Sequence, residues 1–467
     1  MNPRQQEPSR TVIVLPNSDP EPAGFSSSVA RVGTLPILLR AILSVHAAGA
    51  TRIIVCVRSD EAPHIKSTLR RTGRLPLSVE WREIGPETSL SSLIGEVAVT
   101  LQTVIVVLGN RTYQPRLLQS AIEWKGPGGL ALSTDGELAG VYVLPQSGAL
   151  GLAKQPEPQI RTLQELDSRM QSGDSVELQE VPASSWHKVI APEDLPEAER
   201  KLDTWLVKPT DGLFARNNRR MSIPISRVLI KLPLSPNMVT LLVLGVSIAA
   251  GVFFARGGYW NTLLGAALSV AASILDGCDG EVARLKLQST KFGCWLETVC
   301  DYLYYLFVFG GMAVGLTRSS GTKSFLVWGG LLCFGAIMSF LAVSFTRQRL
   351  SGLQPEKFLS VWQKKAETRR SNPLLYLGRH TEFIIRRCFF PYALLFFSVV
   401  NLTKFAFIAT ALGANVVWVI ALYSVVTFSR NRTSDERIED SGHPQRTGNC
   451  LSLTWLGDRK THVARLD

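Results

Sequence analysis

Six apolar stretches of membrane-spanning length lie between residues 238 and 428, at roughly 238–256, 260–283, 293–317, 324–346, 383–402 and 405–428. A run of acidic residues, DGCDGEVARLKLQSTKFGCWLETVCD from Asp276 to Asp301, sits where the second stretch passes into the third. An unpaired carboxylate at membrane depth is costly, so Asp276, Asp279, Glu297 and Asp301 together point to a bound cation or a water-filled site. Asp276 and Asp279 are i and i+3 on one helix, and Gly280 and Ala283 continue that face. Gly293, Glu297 and Asp301 are i, i+4 and i+8 on the next. Two helices packed along those faces build a nest of oxygens beside a groove that small residues keep open. Hard divalent ions take such oxygen cages and leave positions for substrate phosphates.

Loop charge gives the orientation. Arg256, Arg318, Lys323 and Lys404 are the basic residues on one side. The other side has Arg216, Arg219, Arg220, Arg227 and Lys231, then Arg284, Lys286 and Lys291, then the long basic loop from Arg347 through Lys364, Lys365, Arg369 and Arg370 to Arg387. Positive-inside expects a multi-pass protein of the cell (inner) membrane with both termini and the acidic cluster at the cytoplasmic face. The net charge of +12 then reflects anionic lipid and anionic substrates, because the basic residues gather at the ends of the apolar spans; nucleic acid is not an expected partner. Seven scattered cysteines without a CxxC pair exclude a disulfide framework and a zinc site, and fit a reducing compartment. No secretory leader is read in the polar start MNPRQQEPSRTVIVLP.

The segment 211–231, DGLFARNNRRMSIPISRVLIK, alternates apolar and basic residues and reads as an interfacial amphipathic helix. A basic linker gripping lipid headgroups is the plainer alternative.

Residues 1–200 read differently. TVIVLP, a loop, VGTLPILLRAILSVHAAGATRIIVCVRSD, TVIVVLGN and VYVLP alternate buried strands with helical patterns, which indicates an α/β doubly wound domain with a mainly parallel sheet. Residues 146–178 are polar and are expected at the surface. Four regions follow: 1–200 cytoplasmic α/β, 201–237 amphipathic helix and linker, 238–428 an all-α six-helix transmembrane domain, and 429–467 a polar tail of mixed charge expected to be disordered.

The pattern Asp276-x-x-Asp279-Gly280-x-x-Ala283-Arg284, eight residues, then Gly293-x-x-x-Glu297-x-x-x-Asp301 resembles the signature of the CDP-alcohol phosphotransferases (CDP-alcohol phosphatidyltransferases). Lys208-Pro209-Thr210-Asp211-Gly212, Asn218-Arg219 and Pro236-Asn237-x-x-Thr240 extend the likeness to about 205–428. The resemblance implies an integral membrane enzyme that moves a substituted phosphate from a CDP-linked donor to an alcohol and releases CMP. It implies Mg2+ (or Mn2+) held by Asp276, Asp279, Glu297 and Asp301, with Asp301 as general base. Asp276, Gly280, Ala283, Arg284 and Gly293 would face the CDP. Arg347 and Arg349 in SFTRQR, with Arg379 in LGRHTEF, resemble the acceptor-phosphate pocket of phosphoinositol-transferring members, while a snorkelling role explains them equally well. A homodimer through the spans is implied too. The family usually has Asp where this chain has Glu297.

The order of elements in the first half resembles a sugar-phosphate nucleotidyltransferase, in particular the inositol-phosphate cytidylyltransferase fused to a CDP-alcohol phosphotransferase. PEDLPEAERKLDTWLVKPTDG at 192–212 is similar to that fusion's junction. The chemistry expected of it is missing at four places. The first loop, PNSDPEPAGFSSS, has a single glycine; Ala30-Arg31 replace the expected lysine; Asn110 replaces a metal-binding Asp; and Lys188-Val189-Ile190 replace an acidic pair. The domain is therefore expected to be inactive, with an unrelated doubly wound domain as the alternative. For the whole chain the rivals are a non-catalytic membrane scaffold and a cation transporter, the latter disfavoured by the lack of acidic residues in the other four spans.

Overall fold

The computed structural model describes residues 10–15, 21–85, 89–99, 101–126, 128–154, 163–172, 176–207, 211–351 and 388–430. Side chains are described over the same stretches except at 153–154, 163–164, 169, 172, 343–344, 346–351 and 424–430.

The run TVIVL forms β1 (Thr11–Leu15), buried along its whole length as a central strand must be. It lies parallel between β4 (Arg52–Arg58) and β6 (Thr103–Leu108). β5 (Val79–Ile84) extends the sheet beyond β4. On the other side β9 (Glu137–Pro145) pairs antiparallel with β6, β8 (Gly129–Thr134) antiparallel with β9, and β10 (Val176–Glu180) parallel with β8. The order is β10-β8-β9-β6-β1-β4-β5. Alternate residues of β1 feed opposite faces: Val12 and Val14 join one core cluster, Ile13 and Leu15 the other. The first cluster is covered by α1 (Ile37–Ala47), α2 (Ala62–Arg70) and α4 (Pro115–Ile122), the second by α3 (Leu90–Ala98), α5 (Gln146–Lys154) and α6 (Leu163–Ser172). The doubly wound expectation holds. The surface expectation for 146–178 holds at most described positions, with Ala149, Leu166 and Met170 turned into the core and β10 as an edge strand. Their apolar positions are too sparse among Gln, Glu and Ser to show a period. Two short hairpin elements, β2 (Arg31–Val32) and β3 (Leu35–Pro36), turn through Gly33 and Thr34, while β7 (Arg111–Tyr113) pairs with β11 (Trp186–Lys188).

α7 (Leu195–Leu206) and α8 (Leu213–Leu229) lead to α9 (Pro236–Arg256), whose start is set by Ser235 as N-cap and Pro236 in the first turn. α10 (Tyr259–Leu285), α11 (Lys291–Ser320), α12 (Ser324–Ser351), α13 (Phe389–Val399) and α14 (Thr403–Arg430) complete the described chain. The amphipathic helix expected over 211–231 is α8. Among the described residues five helices are long and apolar enough to cross a membrane: α9, α10, α11, Ser324–Ala342 of α12 and Thr403–Tyr423 of α14. Six were expected. The fifth expected stretch, 383–402, begins outside the described residues and continues as the 11-residue α13, which ends at Val399 and turns through Asn401 at φ +56°.

Two compact units divide the chain, Met1–Gly329 with Phe383–Ala409 and Gly330–Glu382 with Thr410–Asp467. Within the second, Asn415 donates to Leu331 O at 3.1 Å and Ser339 to Ala414 O at 2.7 Å. Within the first, α9 meets α11 at glycines. A Cβ at Gly251 would stand 2.5 Å from Phe307 O, so the two backbones touch there. Ser269 and Tyr304 share a hydrogen bond of 2.5 Å between α10 and α11.

Candidate active site

Twenty-seven residues make α10 about 40 Å long at 1.5 Å per residue, more than a hydrocarbon core of about 30 Å. Its last turns carry Asp276, Asp279 and Arg284. α11 starts nearby, with Thr290 as N-cap accepting from Gly293 N at 3.0 Å. The helical register read from the motif is the one observed: Asp276 and Asp279 lie on α10, and Gly293, Glu297 and Asp301 on α11.

Asp279 is the organised carboxylate. It is 4% exposed, accepts from Thr240 Oγ1 of α9 at 2.8 Å, and accepts from Gly280 N at 2.5 Å. Asp276 and Glu297 are the carboxylates within electrostatic reach of it. Asp276 and Asp301 are half-buried, and Glu297 is exposed on α11. Among the described residues no three His, Cys, Asp or Glu side chains are drawn together closely enough to make a ready metal cage.

Gly280 leaves room for a cation. The Arg284 guanidinium lies against it, with Nη1 3.3 Å from where a Cβ would be. Arg284 Nε and Nη2 are buried without a hydrogen-bond partner among the described residues. At Gly293 a Cβ would stand 3.1 Å from Asn237 Oδ1, so this glycine keeps α9 close to the start of α11. Ala283, half-buried, closes the same face. Arg347 and Arg349 fall on the end of α12, where side chains lie outside the described residues, as does Arg379 altogether.

Three residues of this neighbourhood were not legible as functional. Thr240 stood in the PNxxT stretch without a role, and Asn237 beside it. Glu281, two residues after Asp279 and so on the opposite helix face, is the most buried carboxylate here at 0% exposure. It accepts from Arg219 Nη1 at 2.5 Å, Ser222 Oγ at 2.6 Å and Ser226 Oγ at 2.6 Å, which pins α8 to α10. Arg219 also pairs with Asp211 at 3.4 Å, and Arg227 pairs with Asp203 at 2.8 Å and with Glu199. These two arginines are thus structural, not lipid-gripping charges. Asn218 donates to Ser273 O at 3.2 Å and accepts from Tyr392 OH at 2.6 Å, bringing α13 onto the same scaffold. Lys286, a possible partner for the carboxylates, donates instead to Leu232 O at 3.1 Å and Leu234 O at 2.7 Å.

In the α/β body, Asn110 is fully buried and Arg111 beside it is 1% exposed, donating to Leu138 O and pairing with Asp167 at 2.5 Å. Arg31 is exposed on β2, and Lys188 ends β11 opposite Arg111.

Residues 233–369 match the family described as CDP-alcohol phosphatidyltransferase, which bears out the resemblance read from the motif over a narrower stretch than 205–428. A protein of Aquifex aeolicus named bifunctional IPC transferase and DIPP synthase is 31% identical over 297 residues, 62% of this chain and 61% of that one. Its namesake from Rubrobacter xylanophilus is 26% identical over 370 residues, 72% of this chain and 82% of that one. The chain thus spans about three fifths of the Aquifex protein's length. Among solved structures, the inositol-1-phosphate CTP transferase from T. maritima is 14% identical, covering 41% of this chain and 97% of its own at a TM-score of 0.32.

Proposed function

We propose that this chain is a membrane CDP-alcohol phosphotransferase, transferring a substituted phosphate from a CDP-linked donor to the hydroxyl of an alcohol acceptor and releasing CMP. The observation that carries it is the complete DxxDGxxAR…GxxxExxxD register on two adjoining helices, with Asp279 buried and bonded to Thr240, inside the stretch that matches the family. The named relatives support a donor of the CDP-inositol kind with an inositol phosphate as acceptor; CDP-diacylglycerol is the alternative donor of the same class. Both termini are assigned to the cytoplasmic face, the protein acts as a homodimer, and the α/β body has no nucleotidyl-transfer activity of its own.

The donor set fits a hard divalent ion: all its ligands are carboxylate oxygens, and Asp279 is already oriented by Thr240 and by Gly280 N–H. Asp276, Asp279, Glu297 and Asp301 would hold magnesium or manganese, which when bound neutralises charge on the donor diphosphate. The chain's own groups do the rest. Gly280 and Ala283 leave the α10 backbone open to the donor. Arg284, with two buried unpaired nitrogens beside Gly280, binds phosphate oxygen. Asp301 takes the acceptor hydroxyl proton as the acceptor oxygen bonds to phosphorus and the bond to CMP breaks. Arg347, Arg349 and Arg379 are assigned to the acceptor phosphate.

The test is CMP release by purified protein with magnesium, offering CDP-inositol or CDP-diacylglycerol with inositol-1-phosphate or glycerol-3-phosphate. Release that needs an acceptor and disappears in Asp301→Asn is expected. No release with any pair, together with loss of magnesium binding, sinks the transferase and leaves a membrane scaffold.

A further inference from the structure

The turn between α10 and α11 is closed by two back-bonds: Leu287 N donates to Arg284 O at 3.2 Å, and Gln288 N to Ala283 O at 2.8 Å. Such a closure needs a left-handed residue after the helix, a position that glycine fills because it has no Cβ. Here the residue is leucine, at φ +51°. The local backbone disfavours it, so something beyond the turn holds it.

That something is the α/β body. The Leu287 side chain is half-buried and packs against the core cluster that contains Val57, Ile65 and Leu69. Groups of the same body take the last carbonyls of α10. Arg40 Nη2 donates to Leu285 O at 2.8 Å; Arg74 Nη2 donates to Lys286 O, and to Leu287 O at 3.2 Å. Arg40 is 2% exposed and is itself held by Val32 O at 2.9 Å; Gly33, at φ +58°, lets Arg40 Nη2 approach to 2.6 Å from where a Cβ would stand. Val32 and Ile37 of the body form one apolar cluster with Val282 and Leu285 of α10 and Leu202 of α7. On the far side, Lys286 ties the turn to Leu232 O and Leu234 O, just ahead of the helix that presents Asn237 and Thr240.

We infer that the α/β body serves as a positioning clamp for the membrane site, with Leu287 as the latch that holds the α10–α11 turn and so the register between the two carboxylate-bearing helices. This rests on the transferase reading above. It gives a task to a body that the proposed function leaves without nucleotidyl transfer of its own. Leu287 and Arg74 are positioning residues: they touch neither donor nor acceptor and act through Asp276, Asp279 and Arg284 on one helix and Glu297 and Asp301 on the other.

Leu287→Gly separates the latch from a plain helix stop. Glycine favours the left-handed conformation, so a turn that merely ended a helix would be at least as well ordered after the change. Full-length wild type, Leu287→Gly, Leu287→Met and Arg74→Met are compared by amide hydrogen exchange over 283–292 and by CMP-release kinetics. The clamp predicts faster exchange in Leu287→Gly and Arg74→Met, with kcat down about tenfold and KM for the donor within about threefold. Leu287→Met, which keeps an apolar side chain of similar volume, restores both readouts. Unchanged exchange in Leu287→Gly and Arg74→Met overturns the latch, and faster exchange with unchanged kcat overturns its positioning role. Should wild type release no CMP from any donor and bind no magnesium, the transferase reading falls on its own, and with it the positioning role, while the exchange comparison still decides whether the α/β body holds the turn.

Discussion

Replacing Glu281 with alanine removes a carboxylate that is 0% exposed and accepts three hydrogen bonds, from Arg219, Ser222 and Ser226. The consequences for the three donors differ. Each serine lies in α8 and can turn its hydroxyl to a carbonyl one helical turn back, so little is lost there. Arg219 has fewer options: its side chain is 15% exposed, and what remains to it is Asp211 at 3.4 Å and Gly277 O at 3.3 Å. Breaking one side of a buried ion pair costs about 3–5 kcal/mol, mostly because the surviving charge is stranded. Since Arg219 keeps a second carboxylate and a carbonyl, the low end applies, about 3 kcal/mol. For the compact unit that holds Glu281, Met1–Gly329 with Phe383–Ala409, that is roughly 4 °C in Tm. The same reasoning demands that removing both charges be mild, so Arg219→Met with Glu281→Met should recover all but about 1 kcal/mol. Thermal unfolding in detergent, followed by tryptophan fluorescence, reads both. A Glu281→Ala protein that melts within about 2 °C of wild type would refute the argument. So would a double variant as unstable as the single one.

Three further outcomes are expected. Thr240→Val removes the hydrogen bond to Asp279 Oδ2 at 2.8 Å and should lower kcat/KM for CMP release about tenfold while raising the magnesium needed for half-maximal rate, as a metal titration would read. Gly251→Ala pushes a Cβ to 2.5 Å from Phe307 O and should cost about 1–3 kcal/mol of stability through separation of α9 from α11, measured as a lower Tm. His187 is held below its ordinary value of 6.5, first by burial and then by Lys201, with its Nε2 buried and unpartnered. The unfolded chain therefore takes up this proton first as pH falls, so His187 contributes stability above about 6.5 that is lost on acidification. His187→Gln should flatten the fall in Tm between about pH 7 and pH 5, and an unchanged slope would count against it.

Much of the site was legible because its information is local. Asp276 with Asp279, and Gly293 with Glu297 and Asp301, stand at helical spacing within one stretch of chain, and apolar runs on either side set the helices that carry them. The same holds for β1, β4 and β6, whose continuous apolar runs can only be buried strands. The polar run at 146–178 hid α5, α6 and β10, because a sheet edge and two surface helices need only a few buried contacts each. The expected span at 383–402 became the shorter α13 in its described part, since hydropathy counts apolar residues and cannot see the turn at Asn401.

What the sequence by itself determined was the two-part architecture and the helical placement of one acidic motif, both of which follow from periodicity along the chain. Only the tertiary structure decided which groups hold that motif in place. Glu281 was one more acidic residue until Arg219, 62 positions away, was found against it, and Arg40 one more helix residue until its guanidinium was seen to reach Leu285, 245 positions on. Leu287 had no meaning as a letter; its left-handed backbone and its contact with the α/β core give it one. These pairings have no period and no local propensity, because they arise when distant segments close together and each buried polar group must find a partner.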